Sequence, residues 1–366
     1  MAQDAWLVTY GPGNDVWERF GHNALWIRDD ERGIDHTFSF GYFELDRPGF
    51  HRDFAQGIML YFGAASGPER EFAFYRQRHR SIEIQQLNLS PDQVRELYRL
   101  MSDAIFPQPK YYQYDYYLAN CSTWLRDLID QVVGGQLAEQ LKQQPARLNF
   151  RDHTRRLTAE RFWMHTGMML LLGPKIDRPR TAWEEAFLPE ALAAWLQTVE
   201  VDGEPLVVEY QVMFESDVHA PPEGPSGPWL GSLILGLLSF LLIVATGWRG
   251  HGALHLLPWR LGLLVVGLGG LAALAMWLAS GHVATWRNLM LLVLNPLWLL
   301  FLLPGLLSLK RICIYLLLAS VLIGSALMAW PEGPQYRLDQ LLWLTPLSMG
   351  MLMVAWRRLQ RLESYN

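Results

Sequence analysis

The sequence predicts an α+β extracytoplasmic domain followed by an α-helical bundle of about five transmembrane helices, and three observations predict it. Charge divides the 366-residue chain: residues 1–225 carry 22 Lys+Arg against 33 Asp+Glu, a net of −11, whereas residues 226–366 carry 9 against 3, a net of +6. Long uncharged apolar runs, which water does not tolerate, are confined to the second part. The first part instead alternates apolar and polar residues over short segments and then shifts to helical spacing, the pattern of strands and helices sharing one core. An acidic first part argues against nucleic-acid binding, which needs clustered Lys and Arg to displace counterions from phosphate. Two cysteines, Cys121 and Cys313, are too few for a disulfide framework or a Cys-rich zinc site.

Within residues 1–225, Trp6 to Tyr10 alternates as a strand does, and Gly11-Pro12-Gly13-Asn14-Asp15 is a turn by composition. Phe20 to Arg28, FGHNALWIR, is a second strand, with His22 at its opening. The run Asp29-Asp30-Glu31-Arg32-Gly33 is a hairpin turn, and His36 to Phe43, HTFSFGYF, is the partner strand with Phe38, Phe40 and Tyr42 alternating. Ser81 to Leu89 is a further strand. Ser90-Pro91-Asp92-Gln93 then starts a helix that runs to about Ile105, with Ser90 as N-cap, Pro91 at the first helical position and Gln93 completing a capping box. After Tyr111, Tyr112, Tyr114, Tyr116 and Tyr117 comes Asn120-Cys121-Ser122-Thr123, continued by WLRDLIDQVV with Leu125, Leu128, Ile129 and Val132 at helical spacing. Two apolar stretches, Gly57 to Ala65 and Phe162 to Gly173, are too short to span a bilayer and are expected in the core, with interfacial insertion an equal expectation for the second.

In residues 226–366 five segments reach or approach the ~20 residues that cross a ~30 Å hydrocarbon layer: residues 229–248, 257–279, 289–309, 312–330 and 341–356. Placing residues 1–225 outside leaves Arg249, Arg260, Lys310, Arg311, Arg357, Arg358 and Arg361 on the cytoplasmic side and only Arg287 and Arg337 outside, the bias expected of short loops. Export of the first domain implies a signal peptide ahead of the sequence given, removed in the mature protein. Polar residues at or near membrane depth are Asn288, Asn295, His282 and Thr285; they suit helix–helix hydrogen bonds or a lipid head-group site, and Asn295-Pro296 marks a kink.

Cys121 stands at a helix start, where the free N–H groups favour a thiolate and are placed to stabilise an oxyanion. Taken alone, an isolated cysteine is most often a small buried hydrophobe and an isolated histidine a satisfied core residue. Together, a thiol at a helix start and a His opening a strand suit nucleophilic catalysis, with imidazole as the base and a third polar group orienting it. His36 and Ser39, on the neighbouring strand of the hairpin, are the candidate orienters.

The order, His on a strand before Cys on a helix, reverses that of papain-like proteases and resembles the circularly permuted NlpC-type branch that includes lecithin retinol acyltransferase. More specifically, Tyr10-Gly11-Pro12-Gly13, Phe20-Gly21-His22-Asn23-Ala24-Leu25, Phe40-Gly41-Tyr42-Phe43, Gln86-Leu87-Asn88-Leu89, Tyr114-Asp115-Tyr116-Tyr117 and Asn120-Cys121-Ser122-Thr123 with Arg126-Asp127 resemble the motif series of the Lnb family of bacterial lipoprotein N-acyltransferases. The resemblance continues through Gly173-Pro174, Asp177, Pro179, Phe187-Leu188-Pro189 and the NLMLLVLNP stretch. It implies a multi-pass protein of the bacterial inner membrane with its catalytic domain on the periplasmic side. It also implies acyl transfer from a phospholipid donor, through a Cys121 thioester formed with His22 as base, to the α-amino group of a diacylated lipoprotein acceptor. Neither cofactor nor metal is required. Backbone N–H groups around Cys121 are the first oxyanion candidates and the Asn120 and Tyr10 side chains the next; Tyr42, Tyr117, Asn288 and Asn295 are the residues expected to line a lipid pocket. Competing readings are a cell-wall cysteine peptidase or amidase, a phospholipase, and a membrane scaffold in which both residues are structural.

Overall fold

The computed structural model describes residues 3–108, 110–217, 220–249 and 252–363, and they fall into two compact units. One comprises Met1–Leu157 with Pro179–Glu223, the other Thr158–Arg178 with Gly224–Asn366. The division is thus not a single cut near residue 225: the apolar stretch after Phe162 belongs with the membrane helices.

In the first unit the chain runs β1 (Gln3–Tyr10), β2 (His22–Asp29), β3 (Ile34–Tyr42), α1 (Phe50–Gln56), β4 (Leu60–Ser66), α2 (Pro68–Gln77), β5 (Ile82–Leu87), α3 (Pro91–Ile105), β6 (Tyr112–Gln113), α4 (Cys121–Val132), α5 (Gln136–Leu141) and α6 (Phe150–Thr158). Beyond α7 (Phe162–Leu171), which lies in the second unit, come α8 (Ala182–Glu185), α9 (Pro189–Leu196), the short pair β7 (Glu200–Val201) and β8 (Glu204–Pro205), and β9 (Val207–Phe214). Seven strands form one antiparallel sheet in the order β6-β4-β3-β2-β1-β5-β9. The strand and hairpin expectations hold, and the Gly57–Ala65 stretch becomes β4, paired on β3.

Alternation along the strands sorts side chains onto two faces. Val8, Tyr10, Ala24, Ile82 and Ile84 pack with Phe72 and Tyr75 of α2. On the other face Phe38 meets Tyr98 of α3 edge-on at 5.7 Å, and Phe40 stacks on Trp124 of α4 at 4.7 Å between ring centres. Register sets Tyr10 opposite His22 and Ala24 opposite Ser39, so His22 and Ser39 belong to the α2 face.

The second unit contains α10 (Trp229–Arg249), α11 (Leu257–Ala279), α12 (Leu307–Ala329) and α13 (Leu338–Glu363). All four are long and apolar enough to cross a membrane. The expected helix over 289–309 is replaced by two tight helical turns, Leu289–Leu292 and Pro296–Leu302. The cause is local: the Asn288 and Asn295 side chains accept the N–H groups of Met290 and Leu297 at 3.0 Å each, and Pro296 has no N–H to continue a helix. Such backbone is tolerated at membrane depth only where protein covers it. Here it lies against α11 so closely that a Cβ on Gly270 would come within 2.2 Å of the Leu294 carbonyl oxygen, and the Ser320 hydroxyl of α12 donates to the Leu292 carbonyl at 2.6 Å.

Candidate active site

Cys121 is the first residue of α4, and Asn120 is its N-cap. The Asn120 side-chain oxygen accepts the Thr123 N–H at 3.0 Å, while the Thr123 hydroxyl accepts the Asn120 N–H at 2.8 Å, so the turn carrying the thiol is closed from both ends. The thiol is buried, with the Ser122 hydroxyl oxygen 3.8 Å from its sulfur. Burial pushes the thiol pKa up; the polar groups around it, the Asn23 N–H and the Ser122 hydroxyl first, pull against the shift without cancelling it.

Asn23 ties the start of α4 to β2. Its side chain accepts the Ser122 hydroxyl at 2.8 Å and donates to the Thr9 hydroxyl at 2.9 Å, joining β1, β2 and the start of α4. The nucleophile is thereby set against the residue that follows His22. Approach is made from β3 as well: Gly41 has φ of +108°, and a Cβ there would stand 4.0 Å from the Cys121 Cβ, so the strand passes the thiol with a left-handed backbone and no side chain.

His22 lies in a column of rings. Its plane is nearly parallel to those of Tyr10 and Tyr75, with centres 6.1 and 6.3 Å away, and Tyr10 and Tyr75 stack on each other at 3.5 Å. Its Nε2 is enclosed and has no hydrogen-bond partner among the described residues. Burial first and the Arg80 charge second push His22 down to about 3, so the imidazole is neutral. Arg80, 4% exposed, is stacked over the Tyr75 ring at 4.7 Å. Tyr75 and Arg80 both feel the charge of Cys121, so thiol and imidazole share these two neighbours.

Behind the column lies Glu71 of α2, 6% exposed, whose carboxylate accepts hydroxyls from Tyr10 at 2.8 Å, Ser39 at 3.1 Å, Ser66 at 2.6 Å and Thr37 at 2.5 Å. Four O–H donors on one buried carboxylate bind β1, β3 and β4 to α2 and fix the Tyr10 ring on which the column rests.

The expected site residues divide on this geometry. Cys121 and His22 share the neighbourhood just described. Ser39 faces Glu71 rather than orienting the imidazole. His36 is on the opposite face with Phe38, 6.1 Å between ring centres, and so does not orient His22. Neither side-chain oxyanion candidate is available: both Asn120 amide hydrogens go to the Tyr116 and Phe187 carbonyls at 2.9 Å, and the Tyr10 proton goes to Glu71. Tyr42 follows Gly41 and is 40% exposed, with the lost solvation of its phenol and then the Glu71 charge pushing its pKa up. Tyr117 instead lies in the packed core, stacked on Phe150 at 4.8 Å with its hydroxyl 2.9 Å from that of Thr154. Asn288 and Asn295 act as caps of the membrane-unit turns rather than as pocket walls; the Asn288 amide also donates to the Leu170 carbonyl at 2.7 Å. Glu71, Tyr75 and Arg80 are absent from the sequence reading, and Asn23 entered it only as part of a motif. Glu71 and Tyr75 stand one helical turn apart on the apolar side of α2, a spacing visible in the sequence; nothing local marks Arg80. Among the described residues no group of three or more His, Cys, Asp or Glu has the arrangement of a metal site.

A sheet-rich domain with a thiol at a helix start, on a chain that continues into four long apolar helices, defines the class: a membrane protein with an extracytoplasmic domain. Residues 3–160 match the family model of the Lnb N-terminal periplasmic domain and residues 224–360 that of the Lnb transmembrane domain, and the chain belongs to the Lnb family, which relates it to lipoprotein biosynthesis. No curated protein and no solved structure matches it.

Proposed function

We propose that the protein is a lipoprotein N-acyltransferase that moves an acyl chain from a membrane phospholipid to the α-amino group of an N-terminal diacylglyceryl-cysteine. The observation that carries this reading is the buried Cys121 thiol at the start of α4, a helix start that Asn23, the residue after His22, holds through the Ser122 hydroxyl, in a chain with four membrane-length helices among its described residues. A soluble or cell-wall peptide substrate calls for a tether at most, which one helix supplies; several helices suit a substrate that itself resides in the bilayer.

In the first half-reaction Cys121 Sγ attacks the ester carbonyl carbon while its proton passes to His22. The backbone N–H groups around the sulfur suit the oxyanion that forms. Collapse breaks the acyl C–O bond, His22 returns the proton to the departing glycerol oxygen, and lysophospholipid leaves a thioester on Cys121. In the second, the uncharged amine attacks the thioester, His22 takes the proton released from nitrogen, and the C–S bond breaks to give the amide and the free thiol. Because the thiol is held high and the imidazole low, the resting pair is neutral. Charge therefore develops only as the bond to carbon forms, where the N–H groups act on it most strongly.

The test is intact mass of the N-terminal lipopeptide of a diacylated lipoprotein after incubation with purified full-length protein and phospholipid. A gain of one acyl chain that disappears with Cys121→Ala is the expected result. Lysophospholipid and free fatty acid without acceptor acylation would make the protein a phospholipase.

A further inference from the structure

Arg80 has a donor that nothing in the first unit engages. Its Nε donates to the Gly11 carbonyl at 2.7 Å, its Nη1 faces Glu18 loosely at 3.6 Å, and its guanidinium covers the Tyr75 ring. Nη2 is buried with no partner among the described residues. An unmet buried donor costs about 1–3 kcal/mol, and a charged one more, so it persists where a ligand supplies the acceptor. Glu18 is shared between two arginines, closer to Arg78 at 2.9 Å than to Arg80 at 3.6 Å.

The position of this donor identifies its ligand. Tyr75 is in ring contact with both Arg80 and His22, and the Arg80 charge is felt at His22 and at Cys121. The free N–H thus sits in the same neighbourhood as the nucleophile and the base. In a glycerophospholipid the phosphorus is only a few bonds from the ester carbonyl that a nucleophile would attack. A receptor for that phosphate therefore belongs in this neighbourhood rather than at a distance. A guanidinium is well matched to it, because its planar fork of donors suits phosphate oxygens and retains its charge when buried.

We propose that Arg80 is the phosphate subsite of the candidate active site, binding the phosphodiester of the acyl donor through Nη2 and so selecting glycerophospholipids over neutral acyl esters. This rests on the acyl-transfer reading for the identity of the donor. A bound phosphate also offsets the positive charge beside His22, so the base gains affinity for the thiol proton only when a donor is in place.

The test compares phosphatidylglycerol with diacylglycerol of the same chains as donors to the full-length protein in detergent, following acylation of Cys121 by intact mass. For Arg80→Gln the ratio of kcat/KM for phosphatidylglycerol to that for diacylglycerol should fall by about 10- to 100-fold, mostly through KM, which is what losing one charge-assisted hydrogen bond amounts to. Arg80→Lys should recover part of the ratio, and inorganic phosphate should raise the KM for phosphatidylglycerol in the wild type but not in Arg80→Gln. An unchanged ratio, with both donors slowed equally, would overturn the proposal and make Arg80 a positioning residue for His22. Absence of thioester from either donor in the wild type would overturn the lipid acyl-transfer reading itself, so the two failures are distinct.

Discussion

Two buried arginines, one in each unit, show opposite uses of the same side chain. Arg337 of the membrane unit is 1% exposed and donates to the Met169 carbonyl at 3.0 Å, the Tyr336 carbonyl at 2.8 Å and the Leu172 carbonyl at 2.7 Å, with Asp177 at 3.7 Å. It caps the last turn of α7 and joins it to the start of α13, and every branch of the guanidinium is engaged. Arg80 is almost as buried, yet one branch is unmet. The same contrast holds for the amides and rings: Asn288 is bonded to Met290, Gln335 and Leu170, whereas the His22 Nε2 has no partner among the described residues. Buried polar groups that are fully satisfied hold structure, and on the proposed reading the unmet ones around the Tyr75 ring are where a ligand completes the set.

The contrast breaks if the unsatisfied groups prove structural or the satisfied ones dispensable. The largest effect is expected from Cys121→Ala and His22→Ala, each slowing acyl transfer by about a thousandfold or more. Both should leave the thermal melt of the detergent-solubilised protein within a few degrees of the wild type. Next, Arg337→Gln should destabilise the membrane unit by about 3 kcal/mol by leaving carbonyl oxygens buried and unmet, seen as a lower melting temperature and poor recovery. Arg80→Gln should show no comparable loss. Glu71→Gln should cost about 2 kcal/mol in the first unit, because four hydroxyls lose a charged acceptor. Through the Tyr10 ring it should also lower kcat with little change in KM. Asn120→Ala, which removes a helix cap, should cost about 1 kcal/mol in a urea or thermal titration. The smallest effect is the absence of one. Below about 6.5 an ordinary imidazole is protonated and ceases to act as a base. His22, pushed down to about 3, stays neutral, so the rate of Cys121 acylation should change less than about threefold between pH 7 and 5. An acid limb near 6.5 would show that His22 is not held low.

Sequence pattern carried the parts of this fold that short-range chemistry decides. The hairpin of β2 and β3 and the helix start at Ser90, where Ser90 N–H donates to Gln93 at 2.8 Å, both stand as the residues imply. The placement of Cys121 at the head of α4 also follows from Asn120 and the spacing after it. Local pattern was insufficient where the deciding partner is distant. Leu60–Ser66 is a strand because β3 lies alongside it, whereas its apolar run showed only a segment expected in the core. Residues 289–309 had the length and hydropathy of a spanning helix, but two Asn caps and Pro296 were stronger, supported by a glycine of α11 that lets the irregular backbone approach. In the candidate site, Cys121 and His22 were picked out by type and order. Glu71 and Arg80 were not, because a charged residue in PEREFAFYRQRHR resembles a solvated helix face until the sheet closes over it.

The central claim, that Cys121 carries the acyl chain, is tested most directly by the intact mass of the protein after incubation with phospholipid and no acceptor. The account predicts a gain of one acyl chain on wild-type protein, released by neutral hydroxylamine and absent from Cys121→Ala. Wild-type protein of unchanged mass with lysophospholipid accumulating, or an adduct that persists in Cys121→Ala, would contradict it.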